Sequence, residues 1–138
     1  MKFILDTNIV SELVRKKPNE FVSHWVLKRQ KENMLYLSCL TIGEISTGVL
    51  KLAKKDQIAA QILQKWVDQL LIEYENKIVG INLAVCMRWA YLMSIDSTNA
   101  IDGLLAAQTI ENNMVLVTRN IKHFKKFNMQ VINPFEEI

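Results

Sequence analysis

Three acids and one amide of this sequence each lie beside the end of a predicted strand or the start of a predicted helix. They are Asp6, Glu44, Asp102 and Asn120. In a right-handed α/β arrangement, the ends of parallel strands and the starts of the following helices meet at one edge of the sheet. We therefore expect these side chains to converge. Because all four offer oxygen and none is histidine or cysteine, the pattern indicates a site for Mg²⁺ or Mn²⁺ rather than Zn²⁺.

Asp6 is the strongest of these candidates. It follows the apolar run Phe3–Leu5, which predicts a strand buried on both faces and therefore the interior of a parallel sheet. A carboxylate at a buried strand end is costly unless a cation or hydrogen-bond donors compensate it. Since Thr7 or Asn8 can cap the helix that follows, we expect Asp6 to be the first ligand of a divalent metal and not a cap.

Glu44 and Asp102 also fit a purely structural role. Thr41-x-x-Glu44 has the pattern of a capping box, and Asn99-x-x-Asp102 is similar to one. Acids in the first turn stabilise a helix through its dipole without any metal. If the acids meet, however, two carboxylates about 4 Å apart repel by roughly 4 kcal/mol at an effective dielectric constant near 20. Such a cluster must bind a cation or take up protons, and Arg119 is the only adjacent basic candidate.

The elements that must position these residues alternate along the chain. Short apolar runs predict five strands, the last of them at an edge of the sheet: residues 3–5, 34–38, 77–81, 114–118 and 129–133. Apolar residues at helical spacing predict helices between them, including a long one over 58–74 with Ile62 on its inner side, one over 83–95 and one over 100–111. This alternation predicts an α/β fold, a three-layer α/β/α sandwich with a mostly parallel central sheet.

Length and composition limit the alternatives. We expect a single domain over residues 1–138, and the formal net charge of +3 is compatible with a polyanionic partner without demonstrating one. No apolar segment approaches the roughly 18–20 residues of a membrane span, and Asp6 interrupts the first apolar run before a signal peptide could form. Cys39 and Cys86 lie in apolar patterns, so we expect two buried, reduced thiols and a cytoplasmic protein.

Four segments of the chain resemble, in order, the motifs of one family. Residues 3–13, FILDTNIVSEL, look like the opening of PIN-domain proteins, specifically the VapC-type toxins of toxin–antitoxin pairs. The second, third and fourth motifs of that family are similar to residues 41–48, TIGEISTG, residues 102–107, DGLLAA, and residues 117–120, VTRN. Since the motifs keep the family's order and cover essentially the whole chain, the resemblance is specific.

The resemblance implies a Mg²⁺- or Mn²⁺-dependent endoribonuclease that inhibits translation by cleaving tRNA, rRNA or mRNA. It further implies a cognate VapB-type antitoxin and a homodimer. By position, Asp6, Glu44 and Asp102 are the acidic metal ligands. Asn120 stands where the family often has aspartate, and its neutral amide removes one negative charge, so that a second metal would be held less tightly.

Residues beside these positions have predicted supporting roles. Asn8 and Thr118 are expected to hold the carboxylates by hydrogen bonds, and Asn120 to orient a water or a phosphate. Arg119 and Lys122 are the candidates for contact with the RNA backbone. His123 has no partner at a metal-ligand spacing, so we expect it to be structural or exposed, with substrate contact as the alternative.

Two other functions remain open. Another metal-dependent α/β phosphoryl-transfer enzyme is disfavoured, because such enzymes with a covalent aspartate typically carry a second acid two residues later, where this chain has Asn8. The chain also contains no glycine-rich phosphate loop. A non-catalytic PIN-fold module that binds nucleic acid or protein is disfavoured because all three acids are present.

Overall fold

The computed structural model describes residues 1–136, in which five strands form one parallel sheet. The strands are β1 (Phe3–Leu5), β2 (Leu35–Ser38), β3 (Ile78–Val79), β4 (Val115–Val117) and β5 (Val131–Ile132). Their spatial order is β3-β2-β1-β4-β5, and Ile4 of β1 lies opposite Tyr36 of β2 and Leu116 of β4. The five predicted strands are confirmed, as is the edge position of the last one.

Six α-helices lie within the same residues and cover both faces of the sheet. They are α1 (Thr7–Leu13), α2 (Glu20–Lys31), α3 (Cys39–Ala53), α4 (Gln57–Glu73), α5 (Leu83–Ile95) and α6 (Ala100–Glu111). Phe3 and Leu5 face the core under α1 to α4, whereas Ile4 faces the core under α5 and α6. The alternation follows from the two-residue period of a strand. The predicted three-layer α/β/α sandwich is confirmed.

Two helix starts differ from the predictions. Asp6 itself is the N-cap of α1, because its carboxylate accepts a hydrogen bond from the backbone N–H of Thr7. The assignment of that cap to Thr7 or Asn8 was wrong. Helix α3 begins at Cys39 with Ser38 as its cap, and the Ser38 hydroxyl accepts from the Leu40 N–H at 3.0 Å.

Glu44 therefore lies in the second turn of α3, and the alternative role of Thr41 and Glu44 as a capping box does not apply. The cause is the direct passage from β2 into α3, with no loop between Ser38 and Cys39. By contrast, Asn99 does cap α6, since its side-chain oxygen accepts from the Asp102 N–H at 3.0 Å. Asp102 lies in the first turn, as predicted.

Two predictions about burial were also wrong. Cys86 is exposed and Cys39 is only partly buried. Both are free thiols. Ile62 is 67% exposed, whereas Leu70, which the same apolar pattern also places on the inner side of α4, is buried together with Ala60 and Val67. No helix of residues 1–136 combines the length and the apolar character needed to cross a bilayer.

A buried polar pair fixes α6 against the sheet. Gln108 of α6 and Ser38 at the end of β2 are both fully buried, and the Ser38 hydroxyl donates to the Gln108 side chain at 2.6 Å. The Gln108 amide nitrogen donates to the carbonyls of Val79 and Gly80 at 3.0 and 3.1 Å. These bonds satisfy polar groups that would be costly to bury alone. They also set the position of α6, which carries Asp102, relative to α3, which carries Glu44.

Candidate active site

A cavity of about 460 Å³ opens at the carboxyl edge of the sheet. Five of the sequence-predicted site residues line it: Asp6, Asn8, Glu44, Asp102 and Asn120. They come from the end of β1, from α1, α3 and α6, and from the segment after β4. The convergence follows from parallel topology, which places all strand ends and the following helix starts at one edge.

Asp6 lies at the centre of the sheet edge because β1 is the central strand. Its N–H donates to the Val117 carbonyl at 2.9 Å, and its carbonyl accepts from Ile9 at 3.0 Å. The residue thus completes the strand ladder and also starts α1. The carboxylate accepts from the Thr7 N–H at 2.7 Å through Oδ1 and from the Thr118 hydroxyl at 2.8 Å through Oδ2.

Thr118 and Asn8 surround the Asp6 carboxylate as a hydrogen-bonded pair. The Asn8 side-chain amide donates to Asp6 Oδ2 at 3.3 Å and to the Thr118 hydroxyl at 3.2 Å. The same hydroxyl accepts from the Asn120 N–H at 3.1 Å, and Asn8 Oδ1 accepts from the Arg119 N–H at 3.1 Å. Thr118 is fully buried. The network ties the end of β4 to α1 and holds Asp6 in one orientation.

Glu44 is held by a residue that the sequence did not single out for this role. The Thr7 hydroxyl donates to Glu44 Oε1 at 2.9 Å and lies 3.2 Å from the buried hydroxyl of Thr41. Thr7 therefore links the carboxylates of Asp6 and Glu44, through its backbone N–H and its hydroxyl respectively. Its place directly after Asp6 was the signal available, but its partner on α3 becomes visible only in the folded chain.

Asp102 has a different partner, also outside the predicted ligand set. The Nδ1 atom of His123 lies 3.2 Å from Asp102 Oδ2, and the imidazole lines the cavity. His123 is the last residue of a 3-10 helix, Ile121–His123, that begins after Asn120. The expectation that it is exposed is confirmed, since 55% of its side chain is accessible. Its contact with a site acid was missed.

The electrostatics of the cavity favour a positive ligand. Burial is the largest effect and raises the pKa of Asp6 above its usual value of 3.8. Hydrogen bonds from Thr118 and Thr7 lower this pKa, whereas the negative charges of Asp102 and Glu44 raise it further, and the net shift is upward. No lysine or arginine is among the described residues that line the cavity. The burial of charge is thus only partly compensated.

The donor set fits a hard divalent cation. Glu44 Oε2 and Asp102 Oδ1 accept no hydrogen bond from any described residue, so one oxygen of each remains available. Within residues 1–136, no three His, Cys, Asp or Glu side chains are gathered closely enough to form a ready-made metal site. The three acids nevertheless line one cavity, and the negative charges of Glu44 and Asp102 act on Asp6. Oxygen donors around such a space match the preference of Mg²⁺ or Mn²⁺.

The two basic candidates do not enter this cavity. The Arg119 guanidinium lies over the ring of Phe135, 4.4 Å from its centroid, and neither Arg119 nor Lys122 is among the lining residues. Asn120 does line the cavity, and its side chain makes no cap hydrogen bond to the 3-10 helix. Its amide is therefore available to a ligand, whereas Arg119 and Lys122 lie outside the group of acids.

Sequence comparison places the chain in a known family. The family model described as PIN domain matches residues 3–128, and the chain therefore belongs to the PIN domain family.

Three proteins illustrate what the chain is similar to. Toxin FitB of Neisseria gonorrhoeae is 29% identical, over 97% of this chain and 99% of its own length. Plasmid stability protein StbB of Pseudomonas syringae pv. tomato is 28% identical, over 96% of this chain and 98% of its own. Ribonuclease VapC2 of Rickettsia felis is also 28% identical, with 99% and 100% covered.

Solved structures agree with these relationships. A crystal structure of FitAcB from Neisseria gonorrhoeae superposes with a TM-score of 0.89 at 28% identity and covers 98% of this chain and 99% of that one. VapBC2 from Rickettsia felis, bound to a DNA fragment from their promoter, superposes with a TM-score of 0.78 at 25% identity, with 96% and 98% covered.

Proposed function

We propose that this protein is a divalent-metal-dependent endoribonuclease and the toxin of a toxin–antitoxin pair. The observation that carries the proposal is the cavity that Asp6, Glu44 and Asp102 all line, with the pKa of Asp6 raised by burial and by the charges of the other two acids. The family membership and the relatives named as a toxin and as a ribonuclease support it. Inhibition of translation through cleavage of tRNA, rRNA or mRNA is part of the same proposal.

In this scheme Asp6, Glu44 and Asp102 would hold one Mg²⁺ or Mn²⁺ ion. Such an ion would supply a water of lowered pKa and a positive charge that offsets the charge of the phosphate. Thr118 and Asn8 keep the Asp6 carboxylate in place through the bonds at 2.8 and 3.3 Å. Asn120 orients a water or a phosphate oxygen with its amide. The scheme predicts products with 5′-phosphate ends and no requirement for the RNA 2′-hydroxyl.

Arg119 and Lys122 are proposed to contact the RNA backbone at the rim of the site. Both are exposed. Both lie in the segment after β4, within two residues of Asn120. Removing one such contact lowers the slope of log affinity against log salt by about 0.7 for a single-stranded ligand. Lys122→Ala is expected to show this loss with an uncleaved RNA analogue. Lys54→Ala, at the end of α3, is the matched control.

The partners follow the same proposal. A VapB-type antitoxin is supported by the likeness to VapBC2, and the cytoplasm is the proposed location. A homodimer is supported by α5, whose exposed face carries four large apolar side chains at a spacing of four residues: Leu83, Met87, Tyr91 and Ile95. The other exposed residues of α5, Ala84, Cys86, Ala90 and Ser94, are uncharged. Two copies of this face can therefore meet across a twofold axis without like-charge repulsion.

The homodimer is tested by Met87→Glu. The introduced charge is expected to convert the dimer to a monomer in analytical ultracentrifugation, because it would be buried without a partner. Ile58→Glu, at an equally exposed apolar position on α4, is the control and should leave the dimer intact.

The nuclease proposal is tested with the wild type and Asp6→Asn side by side. Wild-type protein is expected to bind Mn²⁺ in calorimetry and to cleave RNA after induction, with 5′-phosphate ends found by end-specific sequencing. Asp6→Asn should lose more than about 100-fold in cleavage, since even the outer partners of metal ligands are worth 10–100-fold. Cyclic 2′,3′-phosphate ends would refute the mechanism. Equal Mn²⁺ binding by both proteins with no cleavage by either would favour a non-catalytic binding module.

A further inference from the structure

His123 is held at the mouth of the cavity by the segment that follows it. The 3-10 helix Ile121–His123 is anchored by Phe124 and Phe127, whose side chains are 1% and 2% exposed in the core under α5 and α6. The N–H of His123 donates to the Asn120 carbonyl at 3.1 Å. The imidazole is thus fixed at its base by buried neighbours and projects into the same cavity as Asp102.

The hydrogen in the contact between His123 and Asp102 is assigned by chemistry. An ionised carboxylate can only accept, so the bond at 3.2 Å requires the hydrogen to lie on Nδ1 of the imidazole. The Asp102 carboxylate takes no part in capping α6, because the cap uses the side chain of Asn99. Among the described residues, His123 is the only one that hydrogen-bonds to the Asp102 carboxylate.

We propose that His123 is a positioning residue, which fixes the Asp102 carboxylate through Nδ1 and leaves Oδ1 as the oxygen that binds the metal. The inference rests on the proposed function and adds a residue to it. Glu44 is held in a comparable way, with one oxygen bonded to Thr7 and the other without a described partner. Glu44 and Asp102 therefore each have one oxygen fixed by a hydrogen bond and one oxygen available to a metal. A held ligand loses less side-chain freedom when the cation binds.

The substitutions that test this role differ in which imidazole nitrogen they replace. The Asn side-chain amide reaches about as far as Nδ1, whereas the longer Gln amide reaches about as far as Nε2. If Nδ1 acts on Asp102, His123→Asn should bind Mn²⁺ nearly as the wild type does in calorimetry. His123→Gln and His123→Ala should bind Mn²⁺ about 10-fold more weakly or worse, as found for outer partners of metal ligands. The Mn²⁺ concentration that gives half-maximal RNA cleavage should rise in parallel.

Two controls accompany the series. His24→Ala removes the other histidine, which lies on α2 in a separate cleft beside Trp25, and should leave Mn²⁺ binding unchanged. Melting temperatures should stay close to that of the wild type in all variants, because the His123 side chain is 55% exposed.

Three results would overturn the inference. Wild-type Mn²⁺ affinity in His123→Ala would do so while leaving the proposed function in place. Unchanged Mn²⁺ binding combined with loss of cleavage in His123→Asn and retention in His123→Gln would show that Nε2 contacts the substrate directly. Absence of Mn²⁺ binding by the wild type would refute the proposed function, and this inference with it.

Discussion

Helix α1 has a carboxylate at each end, and the pKa values of the two shift in opposite directions. Asp6 caps the start of the helix at the sheet edge, and Glu12 lies one residue before its end. Glu12 is the more enclosed of the two, with only 6% of its surface exposed, whereas Asp6 is partly buried. Burial alone would raise the pKa of Glu12 as it does that of Asp6. The pKa of Glu12 is instead lowered.

The donors around Glu12 explain the difference. The backbone N–H of Asn19 donates to Oε2 at 2.9 Å and is the largest cause of the lowered pKa. Arg15 pairs with Oε1 at 3.2 Å, and the charge of Arg119 contributes further. Arg119 is the basic residue adjacent to the site in the sequence, yet its charge acts on Glu12 and its guanidinium lies over Phe135. Its position in the sequence, next to Thr118, does not reveal where its side chain lies in the fold.

The comparison separates two uses of a buried acid. The negative charge of Glu12 is compensated by the Asn19 N–H and by Arg15, and these contacts fasten the turn between α1 and α2. Asp6 receives hydrogen bonds but no positive charge, and two further carboxylates share its cavity. An acid in this state is stabilised when it takes up a proton or when a cation binds beside it. The two acids of α1 therefore differ in which donors and charges surround them, and Asp6 is the one that other carboxylates approach.

Among substitutions that leave the acids themselves in place, the largest expected effect comes from removing the hydroxyl that holds Asp6. Thr118→Val keeps the shape but removes the donor to Asp6 and the acceptor for Asn8 and Asn120. We expect Mn²⁺ affinity and RNA cleavage to fall by about 10–100-fold. We also expect a loss of about 1–3 kcal/mol in the free energy of unfolding, because buried groups lose their partners. Thr118→Ser keeps the hydroxyl and should retain most of the function; an inactive Thr118→Ser would contradict this account.

Glu12→Gln should have the opposite profile. The amide oxygen can still accept from the Asn19 N–H, but the favourable charge interactions with Arg15 and Arg119 are lost. We expect a lower urea midpoint at neutral pH and Mn²⁺ binding equal to that of the wild type. A change in Mn²⁺ affinity would show that the two ends of α1 are not independent. Glu20→Gln, on the exposed first turn of α2, is the control for loss of one negative charge.

The pH dependence of metal-free stability should show both acids with opposite signs. The folded state binds Glu12 protons less tightly than the unfolded state, so stability from Glu12 is complete above its usual pKa of 4.5 and is lost as the pH falls below it. The folded state binds the Asp6 proton more tightly, so its contribution falls as the pH rises above 3.8. Urea titrations at a series of pH values should show no loss of stability from Glu12 at low pH in Glu12→Gln. They should show no loss from Asp6 at rising pH in Asp6→Asn. Identical curves in all three proteins would refute both assignments.

The smallest expected effect comes from a substitution that separates the two functions of Asn19, which are the side-chain cap of α2 and the backbone hydrogen bond to Glu12. Its side chain caps α2 by accepting from Phe21 and Val22 at 2.9 and 3.2 Å, while its backbone N–H serves Glu12. Asn19→Ala removes only the cap and should cost about 1 kcal/mol in the free energy of unfolding. The loss of stability at low pH that comes from Glu12 should still be seen, because the backbone N–H of residue 19 remains as its donor. Its disappearance would mean that the side chain orders the turn that carries this N–H.

Much of the fold could be predicted because buried parallel strands have a strong local signature. The runs Phe3–Leu5 and Val115–Val117 are wholly buried, and branched apolar residues between polar ends are typical of that environment. The wrong inner position of Ile62 has a physical cause. Helix α4 is apolar over more than one face, so periodicity alone does not decide which apolar residues meet the core.

The site was predictable as a set of acids but not as a set of contacts. Motif positions supplied Asp6, Glu44 and Asp102, yet the bonds from Thr7 to Glu44 and from His123 to Asp102 span 37 and 21 residues. Such pairs depend on how helices sit on the sheet, which no local pattern encodes. The cap of α1 was assigned wrongly because Asp6 belongs to the strand through its N–H and to the helix through its carbonyl.

The central position of β1 governs when this protein can become active during synthesis. Asp6 emerges early, but the hydroxyl that holds it is 112 residues further along the chain. Its strand pairs on one side with β2 and on the other with β4. A nascent chain therefore carries an unfinished sheet until β4 has been translated. The carboxylate of Asp6 has its complete set of hydrogen-bond donors only after the segment with Thr118 has left the ribosome.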